Sequence, residues 1–143
     1  MTLDELLARE AIRDCLARIS QAGDAKDYAT YVACFTPDGE LTFGEATART
    51  REGIRAQMER TLAARVARGA TMVRHSVTST VIRLAGPDRA EVHSYFHVYG
   101  VAGPDHFGEY VDQFARHEGE WRLARRRIGV DWVSPFSRHS RTG

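Results

Sequence analysis

The chain has 143 residues, 43% of them hydrophobic and 27% charged, and its formal net charge at pH 7 is +1. This composition is typical of one globular domain, and the balanced charge gives no reason to expect a nucleic acid or a membrane as partner. No apolar run reaches the roughly 18 residues of a membrane span, and the start MTLDELLARE lacks the basic and apolar regions of a secretion signal. We therefore expect a cytoplasmic protein.

The chain begins with helical spacing. Apolar residues recur every three or four positions over 7–19 and predict a long first helix, which ends at Gly23, just before Asp24. The cysteines, Cys15 and Cys34, both lie in helical patterns without a CxxC spacing. We interpret them as buried thiols in a reducing compartment.

A short second helix, a turn, a short strand and a third helix follow. The second helix is predicted over 28–35, the turn at 36–39 and the strand over 41–43. Thr50 is placed to cap the third helix, which ends near Gly69. The residues of this helix that face inward are Ile54, Met58, Thr61 and Leu62.

Four strands with period-two alternation make up the rest of the chain. They are predicted over 72–84, 90–101, 107–117 and 121–132, with a turn at 118–119 between the last two. The inward residues of the first two strands are Val73, His75, Val77, Ser79, Val81, Ala90, Val92, Ser94, Phe96 and Val98. The outward residues of the second strand are Glu91, His93, Tyr95, His97 and Tyr99.

Helices followed by antiparallel strands predict an α+β fold. About three N-terminal helices would pack on a curved, mainly antiparallel sheet, which forms a cone-shaped barrel with a pocket at its open end. We expect one domain over 1–136 and a flexible tail over 137–143.

His75 is the first candidate for chemistry, because it shares a strand face with valines and a buried imidazole must find a partner. Asp24, just after the first helix, is the second. If Asp24 reaches His75, the pair becomes an oriented general base. The alternatives are a core histidine bonded to a backbone carbonyl and a carboxylate in a solvated turn.

Tyrosine hydroxyls and buried charges complete the set of candidate residues. Tyr28, Tyr31 and Tyr110 either donate to a substrate oxygen or belong to an aromatic core. Asp112 and the arginine run 125–127 either edge the cavity or form a structural ion pair.

The histidine spacing does not predict a metal site. His93 and His97 share a strand face but lie about 13 Å apart, too far to hold one ion. We expect neither a metal nor a cofactor. The outward stripe that contains these histidines favours a half-buried contact between subunits.

Four segments in order along the chain carry a resemblance to a known family. They are REAIRDCLARI with GDAKDY, CFTPDGELTFG, VRHSVTS and GEYVDQFARHEGEWRLARRRI. With them the chain resembles the SnoaL-like domains of the nuclear transport factor 2-like superfamily. The resemblance implies a cone-shaped α+β barrel that assembles as a homodimer or homotrimer.

The resemblance also implies a reaction type. Scytalone dehydratase, bile acid 7α-dehydratase and lindane dehydrochlorinase use an Asp–His pair, and Asp24 and His75 match its two positions. Some of these enzymes carry an arginine where this chain has Asp131. The bile acid enzyme places a tyrosine near the aspartate, a region where this chain has Tyr28.

We therefore predict a cofactor-free acid–base lyase or isomerase of the dehydratase type, acting on a small, apolar, cyclic metabolite. The alternatives are a polyketide cyclase or ketosteroid-isomerase-like enzyme, and a non-catalytic binding or accessory subunit. We expect a cavity with apolar walls and few polar groups. The predicted catalytic residues are His75, Asp24, Tyr28 and Tyr110. The predicted substrate-binding residues are Tyr31, Phe35, Phe43, Phe96, Asp112, Phe114 and Trp132.

Overall fold

Three helices pack on one sheet of six strands in the computed structural model, which describes residues 1–70 and 72–139. The helices are α1 (Leu3–Ala25), α2 (Tyr28–Ala33) and α3 (Thr50–Ala67). The strands are β1 (Phe35–Phe43), β2 (Ala46–Arg49), β3 (Val73–Leu84), β4 (Arg89–Gly100), β5 (Gly103–His117) and β6 (Glu120–Val133).

The strand order in the sheet is β2-β1-β6-β5-β4-β3. Every neighbouring pair is antiparallel except β1 and β6, which run parallel. The sheet forms an α+β cone that is not closed, with β2 and β3 at its edges. The predicted fold class, helix count and mainly antiparallel sheet are confirmed. No helix among the described residues is long and apolar enough to cross a membrane.

Helix α1 begins with a capping box, in which Thr2 and Glu5 satisfy each other's backbone N–H groups. It does not end at Gly23 as predicted, but continues to Ala25, and Lys26 (φ 60°) takes the left-handed position after it. Gly23 lies close to α2, because a Cβ added at position 23 would lie 3.4 Å from the Tyr31 ring. Asp24 therefore lies in the last helical turn rather than in a loop.

The predicted turn at 36–39 is wrong, because these residues belong to β1. The register between β1 and β6 shifts between Phe35 and Glu40, so the turn-forming sequence produces an irregularity inside the strand. Gly39 is required there, since an added Cβ would lie 2.9 Å from Cβ of Phe35.

Strand β3 contains a bulge that changes which residues face inward. Its register against β4 shifts between Thr78 and Val81, and Ser79 has φ 50°. His75 keeps the predicted inward direction, but beyond the bulge Ile82 is buried and Val81 is 55% exposed. The predicted inward direction of Ser79 and Val81 is wrong, because one extra residue reverses the faces of a strand.

The buried apolar residues form two clusters. The larger joins α1, α2 and β1 to the sheet and contains Cys15 and Cys34, each 2% exposed. The smaller consists of Phe96, Val98 and Tyr110, on the concave face of β4 and β5. The cone therefore has a densely packed end and an end where the sheet faces a cavity.

Residues 137–139, the start of the predicted flexible tail, contact the body of the domain. The Ser137 hydroxyl donates to Oδ2 of Asp105 at 2.8 Å, and Nε of Arg65 donates to the carbonyl of His139 at 2.9 Å. His139 is buried. The rest of the predicted tail, 140–143, lies outside the described residues.

Candidate active site

A cavity of about 450 Å³ lies between α1, α3 and the concave face of the sheet. Its apolar wall includes Leu41, Phe43, Met58, Val73, Phe96, Ile128 and Val130. Its polar wall includes His75, His106, His139, Tyr31, Tyr110, Arg60, Arg65, Arg68 and Arg126. The predicted apolar cavity with few polar groups is therefore wrong, because one face of α3 and the strand ends add cationic and imidazole side chains.

Asp24 and His75 form a close pair at one side of this cavity. Oδ1 of Asp24 lies 2.6 Å from Nδ1 of His75, and Oδ2 accepts the backbone N–H of His75 at 2.9 Å. The end of α1 packs on β3, which brings these two residues together across 51 positions of sequence. The side chains are 9% and 20% exposed, respectively.

This geometry determines the tautomer of the His75 ring. Because a carboxylate only accepts hydrogen bonds, the neutral ring must carry its proton on Nδ1 and donate it to Asp24. The Nε2 atom then keeps its lone pair, and His75 lines the cavity. The ring is bonded to a carboxylate and not to a backbone carbonyl, the arrangement required of an oriented base.

A second aspartate–histidine pair lies on the same cavity and was missed by the sequence analysis. Nδ1 of His106 lies 2.6 Å from Oδ2 of Asp105, and both residues are buried. The ring centroids of His75 and His106 are 6.5 Å apart. Burial lowers the pKa of His106 by more than the hydrogen bond to Asp105 raises it, which favours the neutral ring.

The signal for His106 was present in the sequence. Alternation backwards from Tyr110 through Gly108 places position 106 on the inward face. We predicted that the strand starts at Phe107, but β5 starts at Gly103. The missing four residues contain the whole second pair.

Arg126 and Asp112 form a buried ion pair under the cavity. Nε and Nη2 of Arg126 donate to the two oxygens of Asp112 at 2.9 and 2.8 Å, and the residues are 2% and 1% exposed. The guanidinium carbon lies 3.9 Å from the centroid of the Tyr110 ring. Asp112 thus has the structural role weighed above and does not line the cavity, whereas Arg126 does.

The arginine run 125–127 was weighed as an edge of the cavity or a structural ion pair, and Arg126 is both, since it binds Asp112 and lines the cavity. Asp131, farther along β6, is exposed.

Tyr110 is buried and stacks on Phe96 with a centroid distance of 4.4 Å. Burial raises the pKa of Tyr110, so its hydroxyl stays protonated and can donate at neutral pH. Tyr31 lines the same cavity. Tyr28 does not line it, but lies with Asp24 on an adjoining cavity of about 630 Å³.

Of the six aromatic residues predicted to bind substrate, Tyr31, Phe43 and Phe96 line the cavity and three do not. Phe35 and Phe114 belong to the larger core cluster, because they face α1 and α2 at the packed end. Trp132 lies on the opposite face of the sheet, where it stacks on Phe107 at 5.4 Å. The sequence pattern gives the inward direction of a residue but not its position along the cone.

The described residues contain no group of three or more His, Cys, Asp and Glu side chains that could hold a metal ion. His93 and His97, the pair tested by spacing, have separate partners. Nε2 of His93 lies 3.0 Å from Glu109, and Nε2 of His97 lies 3.2 Å from the Thr78 hydroxyl.

An open α+β cone with a cavity and an aspartate-bound histidine defines a class of small domains that bind or transform ligands. A family model, described as the SnoaL-like domain, matches residues 4–127. The chain belongs to the SnoaL-like family. The comparison with curated proteins gives no significant match.

Solved structures share the fold over nearly the whole chain. ActVI-ORFA from Streptomyces coelicolor is 27% identical, with a TM-score of 0.75 and coverage of 86% of this chain and 96% of that one. A protein assigned as a scytalone dehydratase from Novosphingobium aromaticivorans is 18% identical, with a TM-score of 0.81 and coverage of 95% and 92%. Hexachlorocyclohexane dehydrochlorinase LinA-type3 from Novosphingobium barchaimii is 19% identical, with a TM-score of 0.81 and coverage of 94% and 93%. Family and fold support a catalytic or ligand-binding role.

Proposed function

We propose that the protein is a cofactor-free acid–base lyase or isomerase, and that His75 is its base. The observation that carries this proposal is the double contact of Asp24 with His75, at 2.6 Å to the ring and 2.9 Å to the backbone N–H. Two contacts from one carboxylate fix both the position of the residue and the direction of its ring. A base held in this way contributes about 10²–10⁴-fold to a proton transfer.

In the first step, Nε2 of His75 removes a proton from a carbon next to a carbonyl group. The electron pair of that C–H bond moves to the carbonyl oxygen, which becomes an enolate oxygen. Asp24 stabilises the imidazolium that forms, because its carboxylate already holds Nδ1–H.

Arg126 is placed to stabilise the enolate oxygen. Its Nε and Nη2 atoms bind Asp112, which leaves the N–H groups of Nη1 for the cavity. A buried guanidinium that is already oriented by an ion pair needs no reorganisation when charge develops on the substrate.

In the second step, the proton on Nε2 of His75 leaves by one of two routes. In an elimination it passes to the departing hydroxyl group, which leaves as water while the enolate electrons form the new double bond. In an isomerisation it returns to a different carbon. The protonated Tyr110 hydroxyl can donate a hydrogen bond to the departing oxygen.

The test follows deuterium uptake from D₂O, measured by NMR, over a panel of cyclic ketones and β-hydroxy ketones. We expect wild-type protein to exchange the proton next to the carbonyl of at least one compound. H75Q should lose about 10²–10⁴-fold of that rate, and D24N should lose much of it because an amide cannot stabilise imidazolium.

The matched control is H117Q, since His117 lies beside Glu118 at the end of β5, away from the cavity. It should exchange like wild type. Near-normal exchange in both H75Q and D24N would show that the pair is structural. Binding of a compound without any exchange would favour the alternative of a non-catalytic binding subunit.

We also propose a homodimer or homotrimer through the outer face of the sheet. This face carries five partly exposed apolar side chains: Tyr95, Tyr99, Phe107, Val111 and Trp132. Their rings would be covered in an oligomer, so Y95E should shift the mass measured by light scattering towards monomer. The equivalent change at an exposed residue of α1, L7E, should not, and a monomeric wild-type protein at micromolar concentration would contradict the proposal.

A further inference from the structure

One face of α3 forms a wall of the cavity and carries three arginines. The residues of this face are Gln57, Arg60, Thr61, Ala64, Arg65 and Arg68. Their spacing of three and four positions places them along one side of the helix. The arginines therefore border the same space into which His75 faces.

The partners of these arginines are neutral. Nη2 of Arg60 donates to the amide oxygen of Gln57 at 2.8 Å, and Nε of Arg65 donates to the carbonyl of His139 at 2.9 Å. Nε of Arg68 donates to the carbonyl of Arg138 at 3.0 Å. Within residues 1–70 and 72–139, none of the three makes an ion pair.

The cavity consequently holds an excess of positive charge. None of the described side chains that line it is a carboxylate. Three carboxylates lie behind its wall, on Asp24, Asp105 and Asp112, against the four guanidinium groups that line it, so the arginines remain in excess. Burial and the neighbouring Arg68 lower the pKa of Arg65 by more than Asp105 raises it, and Arg65 makes no ion pair among the described residues.

The free donors of these side chains match a particular ligand chemistry. Each guanidinium has five N–H donors, and Arg65 uses only its Nε–H in the bond to His139. Guanidinium groups bind carboxylate and phosphate oxygens with paired, charge-assisted hydrogen bonds. The opposite wall offers Phe43, Phe96 and Ile128 to an apolar ring.

We propose that Arg60, Arg65 and Arg68 bind an anionic oxygen group of the substrate, a carboxylate or a phosphate carried by a small apolar ring. This inference rests on the proposed function, because that function makes the bound ligand a substrate. It replaces the expectation of a purely apolar substrate with that of an apolar ring that carries an anionic group. The anionic group lies against α3, and the ring extends between the apolar wall and His75.

The test measures binding of three probes that share a ring and differ in charge: benzoate, phenyl phosphate and neutral benzamide. Isothermal titration calorimetry at two salt concentrations should give binding of an anion at least about tenfold tighter than benzamide, weakening as salt rises. A preference for benzoate identifies a carboxylate site, and a preference for phenyl phosphate identifies a phosphate site.

Variants then locate the site. R65Q and R68Q should each weaken anion binding about tenfold, R65K should recover part of it, and R13Q on the exposed side of α1 should bind like wild type. Thermal denaturation of each variant separates lost binding from lost folding. Three results would overturn the inference. The first is equal affinity for benzoate and benzamide, and the second is failure of both anions to bind at millimolar concentration. The third is unchanged anion affinity in R65Q and R68Q.

H75Q separates this inference from the proposed function. It should still bind the anion while losing deuterium exchange. Anion binding without any exchange by wild-type protein would refute the proposed function alone, and exchange without anion preference would refute the inference alone.

Discussion

The two aspartate–histidine pairs of the cavity have the same bond length and different surroundings. Asp24 and His75 come from a helix and a strand, and within the described residues Asp24 accepts hydrogen bonds from His75 alone, through both its ring and its backbone. Asp105 and His106 are consecutive on β5, and Asp105 also accepts the Ser137 hydroxyl. The Asp24 carboxylate thus orients one imidazole, whereas the Asp105 carboxylate also binds Ser137 and so holds residues 134–139 against the sheet. A hydrogen bond from aspartate to histidine does not by itself define a catalytic base.

The position of each pair strengthens this distinction. The backbone N–H of Ser134 donates to the carbonyl of Asp105 at 2.8 Å, so Asp105 is bonded to the last described segment through main chain and side chain. The His106 ring packs edge-on against Phe96 at a centroid distance of 6.0 Å. His106 therefore belongs to the wall of the cavity, where we expect its Nε2 to accept a hydrogen bond from a bound ligand.

The largest expected difference between the pairs is in reaction rate. H75Q removes the proposed base and should lower kcat/KM by about 10²–10⁴-fold. H106Q removes one hydrogen bond to the ligand and should lower kcat/KM by about tenfold, mainly through a higher KM. Steady-state kinetics on a compound found by deuterium exchange gives both numbers. Equal losses in kcat would mean that both histidines transfer protons.

The first pair was predicted from the sequence, whereas the second was missed although alternation from Tyr110 points to position 106, because the strand is irregular before that position. His75 stands within a regular alternation with Val73 and Val77, and the resemblance supplied Asp24 as its partner. His106 lies where β4 and β5 have a register shift, between Val98 and Tyr99. The register between β5 and β6 also shifts, between Phe107 and Gly108, so the strand is irregular on both sides of His106.

The same limit applies to the aromatic residues and to α3. Alternation predicted that Phe96 and Val98 face inward, and both are buried. It could not predict that Phe114 lies at the packed end of the cone, since that depends on how far each strand extends. Nor could helical spacing reveal that the cavity borders the face with Arg65 and Arg68, because the rotation of α3 is set by its packing on β1 and α2.

A smaller expected difference between the pairs is in stability. D105A leaves Nδ1–H of the buried His106 without its acceptor and also removes the bond to Ser137, so it should lower the free energy of unfolding by about 1–3 kcal/mol. Urea denaturation measures this loss, with D38A on the exposed part of β1 as a control that should be close to neutral. D24N keeps one of the two acceptor oxygens for His75, and the pair is more exposed than the second one, with 20% of the His75 side chain accessible against 6% for His106. It should therefore lose less stability than D105A. The reverse order would mean that Asp24, rather than Asp105, is the structural member.

The smallest expected effect is a pH dependence of stability that belongs to the second pair. Burial lowers the pKa of His106 below its ordinary value of 6.5 in the folded chain. As the pH falls below that value, the unfolded chain takes up a proton that the folded chain does not, so stability is fully present above it and decreases on acidification. Between about pH 7.5 and 5.5 this group can account for at most about 1.4 kcal/mol, since only about one pH unit of that window lies below 6.5. His139 has a pKa lowered by burial as well and adds a contribution of the same sign.

Urea denaturation at the two pH values should therefore show a smaller loss of unfolding free energy on acidification for H106Q than for wild type. The loss should be smaller again for H106Q combined with H139Q. An unchanged loss in the double variant would show that neither imidazole is buried in its neutral form, and His106 would then have to be reconsidered as a proton donor to the substrate.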